Sequence, residues 1–250
     1  PALTDFVIAT RQASHMFVTG PDVVRAVTGE QISAEDLGGA RIHGSVSGVV
    51  HYVAEDEEDA LGQVRSFLAY LPSSAEVDAP LYAYDDTDAQ ADAEAARSVG
   101  EIVPASTRQA YDVVEVVSAV VDHGELVQVQ EEFAANVVVG FACFEGHPVG
   151  IVANQPLVDA GTLDVDASEK LARFVRFCDA FGLPVVTFVD VPGYRPGAEQ
   201  EHAGIIRRGA KVINAYATAT VPLVTIVLRK AYGGAYIVMG SKAIGADLNF

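Results

Sequence analysis

The chain has 250 residues, half of them hydrophobic, with 16 Lys+Arg against 34 Asp+Glu and a formal net charge of −18. This length can bury a substantial core, as one large domain or two smaller ones. The acidic balance, without basic clustering, opposes nucleic acid or an anionic membrane surface as the main partner, so an anionic ligand would need a local basic patch.

The opening PALTDFVIATRQ shows neither the basic n-region nor the cleavage site of a secretory leader. No apolar run approaches the roughly 18 residues of a membrane span. The chain starts without Met and stops at GADLNF with no closing element, so the expectation is a piece of a longer protein. In the first segment, HMFVTGP (15–21) reads as a strand ending in a turn, and DVVRAVTG follows as a helix with Asp22 as N-cap. In EDLGGARIHGSVSGVVHYVA the glycines at 38, 39, 44 and 48 mark close turns, and VVHYVA reads as a buried strand. EDEEDALGQVRSFLAYLP is a helix with an acidic start, its apolar residues Ala60, Val64, Phe67, Leu68 and Leu71 recurring at helical spacing.

From Asp78 to Val99 the sequence is acidic and poor in large aliphatics after Tyr84, which makes it the best domain boundary. The organisation expected is therefore residues 1–77, an acidic linker at 78–100, and residues 101–250, with α/β architecture on both sides. In the second part a helix runs from Asp112 to Val121. NVVVGFACFEGHPVGIVANQ gives two strands around a turn at Glu145, Gly146, His147 and Pro148. SEKLARFVRFCDAFG is a helix with Ser168 as N-cap, apolar positions 171, 174, 175 and 178, and Gly182 as its stop. PVVTFVDVPG is a continuous apolar strand of the kind buried on both faces of a parallel sheet. The loop YRPGAEQEHAG, the helix IIRRGAKVINAYATAT, the strand PLVTIVL and the stretch RKAYGGAYIVMG complete the alternation. Cys143 and Cys178 lie in apolar FACFE and RFCDAF and read as packed thiols in a reducing cytoplasm, not as a bridge or a metal site.

Ligands in such folds bind at the carboxyl ends of the strands. Gly233 and Gly234 stand between a strand and the helix AYIVMGS, where first-turn N–H groups would point outward and could stabilise an oxyanion; a purely steric role for paired glycines at such a turn stands beside that reading. VPGYRPG is either a rigid turn or a second wall of the same cleft. Arg207, Arg208 and Lys211 form either a solvated helix face or the local basic patch. The six histidines show no metal-ligand spacing; His202, in QEHAG, is the one candidate for ligand contact. No nucleophile–base pair is found.

VDVPGYRPGAEQEHAGIIRRGAK, ATVPLVTIVLRKAYGGAYIVMGSK, GHPVGIVANQP and DASEKLARFVRFCDAFGLPVVTFVD closely resemble the carboxyltransferase (β) subunit of biotin-dependent acyl-CoA carboxylases, of the acetyl-CoA and propionyl-CoA carboxylase type. The likeness extends to PALTDF, MFVTGPDVV, VTGE, EDLGGARIH and SGV. It implies two crotonase-like domains, each incomplete in this chain: the back part of an acyl-CoA-side domain in residues 1–77 and the front part of a biotin-side domain in residues 101–250. It implies transfer of a carboxyl group from carboxybiotin to the α-carbon of a short acyl-CoA, one oxyanion hole serving each enolate and biotin's own N1 serving as base, which explains the missing general base. The family's acyl-side Gly-Gly pair falls before PALTDF and outside this numbering. The biotin-side hole carries over onto Gly234 and Ala235, with Tyr236 and Ile237 in the substrate pocket and Gly233, Pro192, Gly193 and His202 on biotin-side loops. Ile237 stands where propionyl-preferring relatives tend to have aspartate and implies acetyl-CoA; His202 stands where many have tyrosine. The implied partners are a biotin carboxylase and a biotin carrier protein. The implied assembly is a homo-oligomer, a hexamer with active sites at dimer interfaces, and no metal is implied in this subunit. A decarboxylase subunit of the same fold and a non-catalytic carrier-binding scaffold are the alternatives.

Overall fold

The structure is a computed structural model that describes residues 3–74 and 76–250. Its contacts group the chain up to Ser66 with Val129–Ala134 as one unit, and Phe67–Gln128 with Ala135–Phe250 as a second. These limits do not coincide with the division read from composition.

In the first unit, strand β1 (Ile8–Thr10) pairs in parallel with β2 (Tyr52–Ala54), and helices α1 (Pro21–Thr28), α2 (Ala34–Gly38) and α3 (Ala40–Ser45) lie between them in sequence. The strand expected at 15–21 does not form: His15 makes one bridge to Gly39, and the Met16 N–H donates to the Gly38 carbonyl at 2.8 Å. The cap of α1 is Gly20, not Asp22, because Pro21 takes the first helical position and Asp22 sits in the first turn, paired with Arg25 at 3.0 Å. Gly38 and Gly44 are helical residues kept small by close approach, since a Cβ would collide with the Met16 carbonyl and the Val53 side chain respectively. Only Gly48, with φ +65, fits the turn reading among the four, and a Cβ there would collide with Phe133. Gln130 ties residues 129–134 to this unit, its N–H donating to the His51 carbonyl at 2.9 Å and its side-chain amide to the Gly48 carbonyl at 2.6 Å. Helix α4 (Glu57–Ala69) forms with its acidic first turn. Its expected apolar face is not a core face, because Phe67 is buried while Val64 and Leu68 are exposed.

In the second unit the acidic segment is folded. Asp85 opens α5 (Asp86–Ala96) through a reciprocal capping box with Asp88, and the short α6 (Val99–Ile102) follows. Asp92 of α5 accepts the Tyr84 hydroxyl and the His123 N–H, each at 3.1 Å. The alanines of this stretch supply helix propensity that a reading of its charge overlooks. Asp112 caps α7 (Val113–Ser118).

A six-stranded sheet has the order β3 (Val127–Val129), β4 (Val137–Phe144), β5 (His147–Asn154), β6 (Val185–Val191), β7 (Leu223–Ala231), β8 (Leu248–Asn249). β4 and β5 are antiparallel, whereas β5, β6, β7 and β8 run parallel. The β4–β5 loop is only Glu145 and Gly146, with φ +50 and +77, and both N–H groups donate to the buried Asp122 carboxylate at 2.8 and 2.7 Å. Helices α8 (Val165–Ala180), α9 (Ala198–His202) and α10 (Ile205–Thr218) lie between the strands from β5 to β7 in sequence. α8 packs on α10 and on β4 and β5, burying Leu171, Phe174, Val175 and Cys178, the positions expected. Its cap is Asp164, which accepts the Ala167 N–H at 2.8 Å; the expected cap, Ser168, lies one turn inside and donates to the Asp164 carbonyl at 2.7 Å. Phe141 stands at 5.3–6.1 Å from the rings of Phe67, Tyr70, Phe174 and Phe177. A second core joins Val113, Val117, Val138, Ile151 and Phe188.

Both thiols are unbridged, and burial raises both. Cys143 moves from 9.0 to about 11. Its protonated form is the one the fold favours, so this contribution to stability is complete below about pH 9 and is lost as pH rises toward about 11. Alkylation of the native protein at pH 8 is expected to be slow at both cysteines and fast after unfolding; rapid native labelling of Cys178 would contradict its burial.

Candidate functional site

Every residue of β6 is buried, and its register with β7 is regular from Val185↔Leu223 to Val189↔Val227. It then jumps to Val191↔Ala231. Asp190 therefore faces three β7 residues, Leu228, Arg229 and Lys230, across a bulge. Its carboxylate is fully buried. One oxygen accepts the Lys230 N–H at 3.1 Å and lies 3.4 Å from Nζ of Lys230. The other meets Nε and Nη2 of Arg229, each at 2.9 Å. The Asp190 N–H donates to Oδ1 of Asn154 at 3.2 Å, and the Asn154 amide donates to the Gly161 carbonyl at 3.1 Å. Nη1 of Arg229 reaches the carbonyls of Pro104, Ser106 and Gln109 at 3.3, 2.7 and 2.9 Å, and the guanidinium stacks 4.6 Å above the Tyr111 ring. Burial, and after it the Asp190 charge, pushes the Tyr111 phenol upward.

Beyond the bulge, the Tyr232 N–H donates to the Val191 carbonyl at 3.1 Å, fastening the ends of β6 and β7 together. The chain turns there into α11 (Gly233–Val238), with Gly233 at φ +58. The first helical hydrogen bond is from the Tyr236 N–H to the Tyr232 carbonyl. Among the described residues, no acceptor meets the N–H groups of Gly233, Gly234 and Ala235. A Cβ on Gly234 would meet nothing within 4 Å. Ala235 is buried, Tyr236 half-buried and Ile237 43% exposed. Three donors at a helix start, without acceptors among the described residues, can receive a developing negative charge on oxygen.

The structure brings Pro192 and Gly193 to the same sheet end, where the Gly193 carbonyl accepts the Leu163 N–H at 3.1 Å and the Arg195 N–H returns to the Leu163 carbonyl at 2.7 Å. His202, exposed at the end of α9, makes no hydrogen bond to this group among the described residues. The basic set on α10 is not a free patch: Arg208 and Lys211 both pair with Glu169 of α8, Lys211 at 2.7 and 3.0 Å, while Arg207 is exposed. Asp190, Asn154, Arg229 and Lys230 were not singled out from sequence. The available signal was an acid inside the apolar run VVTFVDV and a basic pair closing PLVTIVL.

The carboxyl transferase domain family model matches residues 1–250. The chain is 55% identical over its whole length to the propionyl-CoA carboxylase carboxyltransferase subunit of Haloferax mediterranei, covering 48% of it. It is 51% identical to the methylmalonyl-CoA decarboxylase subunit alpha of Veillonella parvula, with 99% of this chain and 48% of that protein aligned. The crystal structure of transcarboxylase 12S, described as a hexamer assembly with methylmalonyl-coenzyme A bound, superposes with TM-score 0.94 at 45% identity over 100% of this chain and 48% of that one. The chain thus spans about half the length of the relatives it matches, and its mixed α/β fold is the crotonase-like fold expected. Whole-length matching by the family model and identity above one half lead to one conclusion: this chain belongs to the carboxyl transferase domain family.

Proposed function

We propose that the protein is the carboxyltransferase component of a biotin-dependent acyl-CoA carboxylase, moving a carboxyl group from carboxybiotin to the α-carbon of a short acyl-CoA. The observation that carries this is the start of α11: three N–H groups without acceptors among the described residues, at the carboxyl ends of β6 and β7, with open space in front of Gly234. That arrangement fits the oxygen of a cyclic urea. When bound, carboxybiotin supplies the carboxyl group and, once that has left, a basic nitrogen. Gly234 and Ala235 donate their N–H groups to the oxygen that gains charge. Gly233 gives the turn its left-handed backbone, and Pro192 and Gly193 wall the adjacent side. Tyr236 and Ile237, in the next helical turn, face the acyl group. His202 has the weakest support, being exposed and without a bond to the cluster.

On this reading residues 1–77 belong to the acyl-CoA side and 101–250 to the biotin side, although 78–100 carry a helix of their own. The protein works with a biotin carboxylase and a biotin carrier protein. It assembles as a hexamer with active sites at dimer interfaces, a reading supported by the hexamer of the solved relative. The unbridged cysteines suit a reducing cytoplasm. The named carboxylase relative acts on propionyl-CoA, whereas Ile237 favours acetyl-CoA. Carboxylation assays with both substrates, using free biotin or the carrier, are expected to show transfer, and absence of transfer in either direction would sink the proposal. The decarboxylase relative makes the reverse assay necessary. Ile237→Asp is expected to produce a roughly 10-fold rise in the propionyl-to-acetyl specificity ratio, within the 1–3 kcal/mol that one methylene allows; an unchanged ratio removes Ile237 from the pocket.

A further inference from the structure

We propose that Asp190 and Arg229 are positioning residues for the α11 site: the buried pair holds the β7 bulge open and thereby sets the direction of the Gly233, Gly234 and Ala235 N–H groups. The inference rests on the proposed function of those groups. A regular parallel ladder would carry β7 past β6 one residue for one. Here the register passes from Val189↔Val227 to Val191↔Ala231, and the two extra β7 residues have to be absorbed opposite Asp190. The ladder bond missing at this point is replaced by a side chain, because the Lys230 N–H donates to the Asp190 carboxylate at 3.1 Å. The Asp190 N–H, turned away from β7, goes to Asn154 at 3.2 Å. Normal pairing resumes at Val191, whose carbonyl receives the Tyr232 N–H at 3.1 Å, one residue before the turn into α11. The aim of the helix start is therefore fixed by how β7 is bent immediately before it.

The chemistry of the pair argues against a role in stability alone. A fully buried carboxylate facing two cations is a weak stabiliser, since desolvation offsets the attraction and an apolar replacement is often neutral or better. What the charged arrangement supplies is geometry. The planar guanidinium of Arg229 meets Asp190 with Nε and Nη2 and the 104–109 loop with Nη1, which binds three carbonyls. Its stacking on Tyr111 at 4.6 Å fixes the plane. A lysine there would keep the charge on Asp190 but could not span both sides.

The test uses the full-length, assembled enzyme and the variants Arg229→Lys and Asp190→Asn. Arg229→Lys keeps the ion pair and so guards against the possibility that Asp190→Asn, which leaves two buried cations opposed by no carboxylate, does not fold. Three quantities are read for each: thermal midpoint, acyl-CoA affinity, and turnover in carboxylation of free biotin in the reverse direction. Arg229→Lys is expected to turn over at least 10-fold more slowly than wild type, with acyl-CoA affinity changed less than 2-fold and assembly intact. Turnover within 2-fold of wild type in folded Arg229→Lys overturns the proposal, as does a loss of activity that only tracks a loss of folded protein. Gly234→Val separates this failure from failure of the functional reading: if it abolishes transfer while Arg229→Lys is fully active, the oxyanion hole stands and the positioning role falls.

Discussion

A Gly234→Val variant is expected to lose carboxyl transfer by about 100-fold or more through steric displacement, a loss on the scale of removing one oxyanion-hole donor, and to keep the wild-type thermal midpoint and assembly. The separation of the two effects comes from the local geometry. Gly234 lies outside the left-handed region and its Cβ position is empty to 4 Å, so the fold accepts a side chain there. The valine methyls then fill the open space at Gly234, beside the α11 N–H groups, and on the proposed reading exclude the oxygen those groups would hold. Neighbouring variants are less informative. Ala235 is buried, so a valine there also overpacks the interior at a cost of about 1–3 kcal/mol. At Gly233 the φ of +58 adds backbone strain of about 1 kcal/mol or more to any side chain. Full activity in Gly234→Val, measured with free biotin as acceptor, would falsify the site assignment.

The largest expected effect on stability is at Phe141. Its side chain is wholly buried and touches rings contributed by α4, by Tyr70 just after it, and by α8. Truncation to alanine empties the volume these rings share, and a cost of about 3–5 kcal/mol is expected. For a protein of this size that lowers the thermal midpoint on the order of 10 °C. Leu68→Ala, on the exposed side of α4, serves as the control and should change stability by less than about 0.5 kcal/mol. Equal effects from the two substitutions would mean that α4 is covered on its outer face in the assembled protein and that Phe141 is not the keystone of its cluster.

Long apolar periodicities in the sequence carried over into the structure, and short or polar signals did so less faithfully. β6, α8 and α10 were legible because burial on both faces or along one stripe leaves a pattern several residues long. The ends of those elements were not, since Asp164 rather than Ser168 caps α8 and only tertiary packing decides between two capable residues. The 15–21 stretch holds the strand formers Phe17, Val18 and Thr19, yet among the described residues its sheet-like pairing is the single bridge at His15, which shows how context overrides β-propensity. The acidic run conceals a helix because its charge masks the alanine content and the Asp85–Asp88 box that form it. At the site, the glycines of the turn were legible as backbone devices. The Asp190–Arg229 pair was not, because it depends on a register shift between strands almost 40 residues apart, which no local pattern encodes.

The six residues from Val129 to Ala134 give the chain a consequence in time. They lie in the sequence within the second unit but are needed to finish the first, where Gln130 bonds to the carbonyls of Gly48 and His51. A chain emerging at roughly 5–20 residues per second therefore passes Ser66 and waits about 3–13 seconds before its first unit can close. During that interval the β1–β2 pairing lacks the contacts of residues 129–134 that complete the unit. The first unit is thus completed by a segment well downstream of it, and nascent chains halted before residue 129 should be far more sensitive to protease between residues 3 and 66 than chains halted after residue 134.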